Sequence, residues 1–196
     1  MVRVVDEGDD PAVVLMRGPE VSAERWRDLV SLLSSSFRAI APDVPPDSEP
    51  DSRLRDVLSL LPPSGSLAAV GMGEGADTAL RLGLVRALEA LVLLSPVATL
   101  SRPDLDRFDA PVLILVGEDD PSSAGAEALN EAIVTSSLGL LPGVGPDLLG
   151  EAGATVIPMV YEFLRARYLR APHAHVPHGV VDLPLGRRPP KTDREE

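Results

Sequence analysis

The sequence predicts an α/β fold, a mainly parallel sheet flanked by helices, and three observations carry that reading. Short β-branched or leucine-rich runs alternate with longer amphipathic ones, which is the pattern of strand–helix–strand units. Gly and Pro break the runs at regular intervals, at the points where such units must turn. The 196 residues are 44% hydrophobic and long enough for one domain with a substantial core. Aromatic residues make up only 3%, so that core is built from Leu, Val and Ala.

Residues 12–16 (Ala-Val-Val-Leu-Met) read as a buried strand ending at Arg17-Gly18-Pro19. Ser22 can then cap a helix from about Ala23 to Leu33, with Trp26, Leu29, Val30 and Leu33 at helical spacing. The next strand covers 37–41 and is stopped by Pro42-Asp43-Val44-Pro45-Pro46. A helix around 51–61 places Leu54, Val57, Leu58 and Leu61 on one face. A strand over 67–70 runs into the turn Gly71-Met72-Gly73-Glu74-Gly75, and residues 76 to about 88 are helical. Strands over 91–94, 112–116 and 138–141 bring the set to about six. A helix from about 155 to 169 closes the domain, with Pro158 tolerable only in its first turn. From Ala171 the periodicity fails, and Pro172, Pro177, Pro184, Pro189 and Pro190 exclude regular helix. The expected division is a domain over 1–170 and an extended Pro-rich tail over 171–196, docked in part through Val180, Val181, Leu183 and Leu185.

Composition narrows the function classes. A formal charge of −12 argues against a nucleic-acid partner, because phosphate binding needs a basic footprint. The tail is neutral: Asp182, Asp193, Glu195 and Glu196 balance Arg187, Arg188, Lys191 and Arg194, so the body carries the whole excess. The absence of Cys excludes disulfides, thiol catalysis and cysteine-ligated metals. No apolar run approaches the ~20 residues of a membrane-spanning helix, and the N-terminus turns acidic at once. The expectation is a cytoplasmic protein without membrane insertion.

Four blocks in order resemble the α/β-hydrolase superfamily from about residue 10 to residue 168. Val13-Val14-Leu15-Met16-Arg17-Gly18, Trp26 and Phe37-Arg38-Ala39-Ile40-Ala41-Pro42-Asp43 are similar to the family's strand ending in His-Gly, its helix with an early Trp, and its strand ending in Ala-Pro-Asp. Gly71-Met72-Gly73-Glu74-Gly75 falls where the Gly-x-Ser-x-Gly nucleophile elbow belongs. Pro111 to Pro121, with Glu118-Asp119-Asp120, resembles the strand and turn presenting the triad acid. Leu141-Pro142-Gly143-Val144-Gly145-Pro146 and Glu151-Ala152 resemble the Pro-Gly-x-Gly-His loop and the acidic residue after it. The resemblance implies a minimal form of the fold without a cap, since residues 97–110 alone replace the usual helical insertion.

In that family a Ser attacks a carbonyl, a His takes its proton and an acid orients the His. Here the nucleophile position is Gly73, which has no side chain, and the histidine position is Pro146, which can move no proton. The only histidines are His173, His175 and His178, in the tail. Arg17 replaces the histidine of the first strand's His-Gly, on the side where the oxyanion would be held. Asp120 alone keeps a triad position. Ser-His-Asp hydrolysis is therefore not expected.

The remaining candidates each have a plain alternative. Glu74 is a base or ligand contact, or a carboxylate solvated at a helix N-terminus. Asp119 and Asp120 bind a cation or act as acids, or they form a helix cap or turn. Arg17 pairs with Asp120 or Glu74 in the vacated space, or binds an anion beside that helix. Gly18 and Met72 line the same candidate pocket. His173, His175 and His178 invite a metal reading that Pro172 and Pro177 argue against, so neither a resident metal nor a cofactor is expected. No phosphate-loop or dinucleotide spacing occurs.

The leading expectation is a pseudoenzyme that binds another protein, or a second copy of itself, as an accessory, assembly or regulatory subunit. Its tail, with Val180, Val181, Leu183, Leu185, Arg187 and Arg188, is the docking segment. The alternatives are an enzyme of non-standard mechanism (lyase, isomerase or cyclase) and a small-molecule binder.

Overall fold

The computed structural model describes residues 3–19, 21, 23–43, 48–168 and 179–182. The strands are β1 (Arg3–Glu7), β2 (Ala12–Arg17), β3 (Arg38–Asp43), β4 (Leu67–Met72), β5 (Ala90–Leu94), β6 (Val112–Gly117), β7 (Ser136–Leu141) and β8 (Gly179–Asp182). Between them run α1 (Ala23–Leu33), α2 (Pro50–Leu60), α3 (Gly75–Val85), α4 (Arg102–Leu105), α5 (Ser123–Ala132) and α6 (Leu148–Tyr168). All eight strands form one sheet in the order β1-β3-β2-β4-β5-β6-β7-β8. Every pairing is parallel except β1 with β3.

Alternate residues of the central strands feed two cores, as the two-residue period of a strand requires. Val13, Leu15, Val70, Val92 and Leu94 pack with Trp26, Leu29 and Leu33 of α1 and with Val156, Val160 and Leu164 of α6. Val14, Met16, Ala69, Leu91, Leu93 and Ile114 face the other way, toward Val57 of α2, Ala79 and Leu80 of α3, and Ala126 and Leu129 of α5. Each fully buried Leu or Val contributes roughly 1.5–3 kcal/mol over leaving it in water. This explains how a chain so poor in aromatics holds together.

The predicted strands and helices lie where the periodicity put them, with shifted ends: the helix expected over 76–88 stops at Val85, and Arg86 is extended. Ser22, the expected cap of α1, lies outside the described residues. Three elements differ more. β1 went unread because Arg3-Val4-Val5-Asp6-Glu7 is mostly exposed and shows no apolar alternation. It is held to β3 by its ladder and by Arg38, whose Nε and Nη2 donate to Asp6 at 2.8 and 2.7 Å. Those hydrogen bonds keep the Asp6 carboxyl below its usual pKa.

The last helix starts at Leu148 rather than 155, with a break at Ala152 (φ −130°, ψ 15°). Its buried residues Leu148, Ala152, Val156, Val160 and Leu164 fall four apart, so one face continues through the break. Pro158 therefore sits beyond the first turn. Its missing N–H would have met the Ala154 carbonyl, and both residues lie on the exposed side of the helix. The helix ends with Tyr168, whose hydroxyl donates to the Ala12 carbonyl at 2.8 Å and whose ring packs 5.4 Å from Phe37. Burial pushes its phenol pKa up.

The third difference is β8. Part of the segment read as an extended tail pairs in parallel with β7, Val180 opposite Leu138 and Val181 opposite Gly139. Leu183, Leu185, Arg187, Arg188 and the three histidines lie outside the described residues. No helix among those described is long and apolar enough to cross a membrane.

Candidate functional site

Crevices in a parallel sheet open at the carboxyl ends of the strands. Here the loops after β2, β4, β5, β6 and β7 meet at that edge, and they carry every body residue singled out from the sequence. The turn after β4 is among the tightest of them. A Cβ on Gly71 would lie 2.6 Å from Ala76 Cα and 2.8 Å from Ala79 Cβ, and one on Gly75 would overlap the Met16 carbonyl. Both positions demand glycine because strand and helix backbones cross there. Gly73, at the apex, has φ +57°, the left-handed region that a side chain makes costly. Its N–H donates to Leu94 O at 3.0 Å, and its carbonyl accepts from Val97 N at 3.0 Å. The chain after β5 is thereby clamped over the apex on both sides.

Gly18 and Met72 do meet: the Gly18 N–H donates to the Met72 carbonyl at 2.9 Å. Arg17 does not reach Asp120 or Glu74. Its Nη2 donates to Asp43 Oδ1 at 2.8 Å and its Nη1 to the Val21 carbonyl at 3.1 Å. β2 and β3 are adjacent, so the end of β3 offers the nearer acid. Glu74 instead pairs with Arg53 of α2 at 3.1 Å, and Arg53 is itself anchored on the Ser48 carbonyl at 2.7 Å. Glu74 stays half exposed, so the pair is worth at most about 1 kcal/mol.

On the far side, Asp119 is exposed and its N–H donates to Val144 O at 3.0 Å. Asp120 is buried, at 5% exposure. Its Oδ1 accepts from the Ser122 N–H at 2.7 Å, an Asx turn just ahead of α5. Its Oδ2 and the Ser122 hydroxyl, both buried, have no partner among the described residues. Pro146 is exposed. Beside it, Asp147 Oδ1 accepts from Gly150 N at 3.0 Å and Glu151 Oε2 from Gly145 N at 3.0 Å. The loop after β7 is thus finished as the capped start of α6.

Two features escaped the sequence. Ser95, at the end of β5, has φ +41° and is 7% exposed, and its hydroxyl is buried without a partner among the described residues. Holding a serine there costs about 1–2 kcal/mol. The second is Asp77 of α3, buried and gripped by Arg81 Nε at 2.6 Å, Thr99 N at 2.7 Å and the Thr99 hydroxyl at 2.8 Å. Burial opposes ionisation of Asp77, but the bonds from Arg81 and Thr99 outweigh it and leave its pKa lowered. The Asp77…Arg81 spacing of four was a readable signal. Nothing in the sequence marks Ser95.

No protein-family model matches the chain, and no characterised protein matches it by sequence. Solved structures do. A serine hydrolase involved in carbazole degradation superposes with a TM-score of 0.74 at 17% identity, covering 84% of this chain and 95% of its own. The monoacylglycerol lipase of Paleococcus ferrophilus gives 0.76 at 16%, covering 85% and 99%. The enol-lactonase of Burkholderia xenovorans gives 0.73 at 15%, covering 84% and 96%. The chain has the α/β-hydrolase fold. Identities this low speak to architecture alone, and the chemistry rests on the residues at the strand ends. Within this α/β-hydrolase fold, Gly73, Asp120 and Pro146 lie in the loops after β4, β6 and β7. One has no side chain, one is a buried carboxylate with a spare oxygen, and one is an exposed proline.

Proposed function

We propose that the protein is a non-catalytic α/β-hydrolase-fold protein, a pseudoenzyme whose work is to bind another protein as an accessory, assembly or regulatory subunit in the cytoplasm. The observation that carries this reading is Gly73 at the apex of the β4–α3 turn, where a nucleophile would have to stand. Pro146 supports it from the opposite loop, since it can accept no proton. Only α4, a four-residue turn, interrupts the connection between β5 and β6, so little encloses a substrate there.

Residues 171–196 supply the docking segment. Their strand β8 lies along β7, where strand addition by backbone pairing is one way a partner is held. Native mass spectrometry and pull-down from the source cell, with the full chain and with 1–170, test this. The full chain retains a defined protein partner or a second copy and the truncated form releases it; a lone monomer in both cases defeats the reading. A chromogenic ester assay gives no turnover above background. Turnover that survives Gly73→Ala would place catalysis elsewhere in the molecule.

A further inference from the structure

The unpartnered polar atoms at the strand ends share one place in the fold. Leu94 and Leu115 are partners in the β5–β6 ladder, and the Ser95 N–H continues that ladder onto the Leu115 carbonyl at 2.8 Å. The Asp120 N–H turns back onto the Gly117 carbonyl at 3.2 Å, folding the turn over the end of β6. Ser95 directly follows β5, and the Asp120–Ser122 turn follows β6, its neighbour in the sheet. Ser95 Oγ, Asp120 Oδ2 and Ser122 Oγ are all buried, and none has a partner among the described residues.

We propose that Ser95, Asp120 and Ser122 form the acceptor end of a binding site for a primary ammonium group, R–NH3+. A buried carboxylate oxygen and two hydroxyl oxygens can all accept, and an alkylammonium offers three donors and no acceptor. The charge matches as well. Asp120 is buried and the chain carries a net −12, which favours a cation over an anion as ligand. The neighbouring cations are already committed: Arg17 to Asp43, Arg53 to Glu74 and Arg81 to Asp77. A divalent metal lacks its donor set, since no three His, Asp or Glu residues cluster among those described. An apolar occupant would leave all three oxygens unsatisfied. The strained backbone of Ser95 fits this role, because it holds a hydroxyl at a position where glycine would be relaxed.

The same chemistry comes from a free alkylamine or from a lysine side chain of a partner. The experiment titrates the full-length protein with n-butylammonium, with Nα-acetyl-lysine amide and with tetramethylammonium at constant ionic strength, following backbone amide resonances. Saturable shifts at Gly73, Ser95 and Ser122 are expected with the first two and absent with tetramethylammonium, which has the charge but no N–H. A lysine analogue binding more than tenfold tighter assigns the site to a protein lysine; the reverse assigns it to a free amine. Asp120→Asn, which keeps an oxygen for Ser122 N and sets a donor where Oδ2 was, weakens binding at least tenfold. Ser95→Ala weakens it by several-fold and covers the case in which the Asp120 variant fails to fold. The titration is repeated on Lys191→Gln so that the chain's single lysine cannot mask the site. Absence of saturable shifts in both proteins overturns the proposal, as do equal shifts with tetramethylammonium or undiminished binding by both site variants. Partner capture is read separately, so either idea can fail without the other.

Discussion

The β4–α3 turn and the β7–α6 loop lie on the same edge of the sheet, with β5 and β6 between them, yet different forces hold them. The turn is fixed by steric necessity. Gly71 and Gly75 leave no room for a Cβ because helix and strand backbones touch there, and Gly73 takes φ +57° to complete the reversal. The loop after β7 packs tightly only in its first half, where a Cβ on Gly117 would overlap the Val144 carbonyl, and from Pro146 on it has more latitude. It is closed by side-chain caps, Asp147 to Gly150 N and Glu151 to Gly145 N, and its Pro146 is exposed. A backbone under packing constraint keeps its shape whatever chemistry it bears. A capped surface loop tolerates replacement of a residue that nothing packs against.

The comparison breaks first, if it breaks, at Gly75. Gly75→Ala drives a Cβ into the Met16 carbonyl, which is backbone of the central sheet and cannot swing away. Overpacking of this kind costs about 3 kcal/mol or more, and thermal unfolding should show it as a loss of many degrees. A variant as stable as the parent would mean that the turn is not packing-limited.

A second test loads the helix that the turn launches. Asp77→Asn removes the charge that accepts from Arg81 and from both donors of Thr99, at a cost of about 2–3 kcal/mol at neutral pH. The folded-state pKa lies below the ordinary 3.8, so this stabilisation is complete above the unfolded-state value and fades as pH falls through the folded one. The stability gap between parent and variant should thus be constant from pH 7 to about 5 and shrink below about 4. A gap that stays flat to pH 2 would show that the carboxylate charge is not what Arg81 and Thr99 hold.

The loop responds more mildly. Asp147→Ala strips the N–H of Gly150 of its acceptor and should cost about 1 kcal/mol, the usual worth of a helix N-cap. Urea titration at neutral pH resolves that difference. A loss as large as that of Gly75→Ala would erase the distinction between the two regions.

The same contrast governs how much of the molecule was legible in the sequence. The central strands and the four ordered blocks could be read because buried parallel strands are near-continuous apolar runs and the turn glycines are dictated by sterics. The start of α6 was missed although Leu148 and Ala152 continue the four-residue spacing of Val156, Val160 and Leu164. Gly150 and Gly153 broke the pattern to the eye, but the buried face runs through. β1 and β8 were hidden for another reason: each is short and lies on an edge, where ladder pairing rather than apolar periodicity decides. The motifs put Gly73, Asp120 and Pro146 in strand-end loops, while Arg17 pairs with Asp43 and not with the expected Asp120 or Glu74. Choosing among several nearby acids requires the register of β2 against β3, which no local pattern encodes.

Ser95 lies between the two regions and refines the contrast. Ser95→Gly relaxes the φ of +41° and removes a buried hydroxyl that has no partner among the described residues. Against the extra backbone entropy of glycine, the net should be a gain of about 0.5–1 kcal/mol. A loss of stability on calorimetry would indicate that the hydroxyl is already satisfied.

Pro146→His is expected to have the smallest effect. The side chain is exposed and caps nothing, so stability should change by no more than about 0.5 kcal/mol. The substitution returns an imidazole to the loop facing Asp120, whose Oδ2 has no partner among the described residues. It should nevertheless yield no ester hydrolysis, because Gly73 still offers no nucleophile and a base alone has nothing to activate. The two outcomes together separate the base from the nucleophile. A base can be restored cheaply on a loop held by caps, whereas a nucleophile must be restored on a turn whose apex, at φ +57°, costs any side chain about 1–2 kcal/mol.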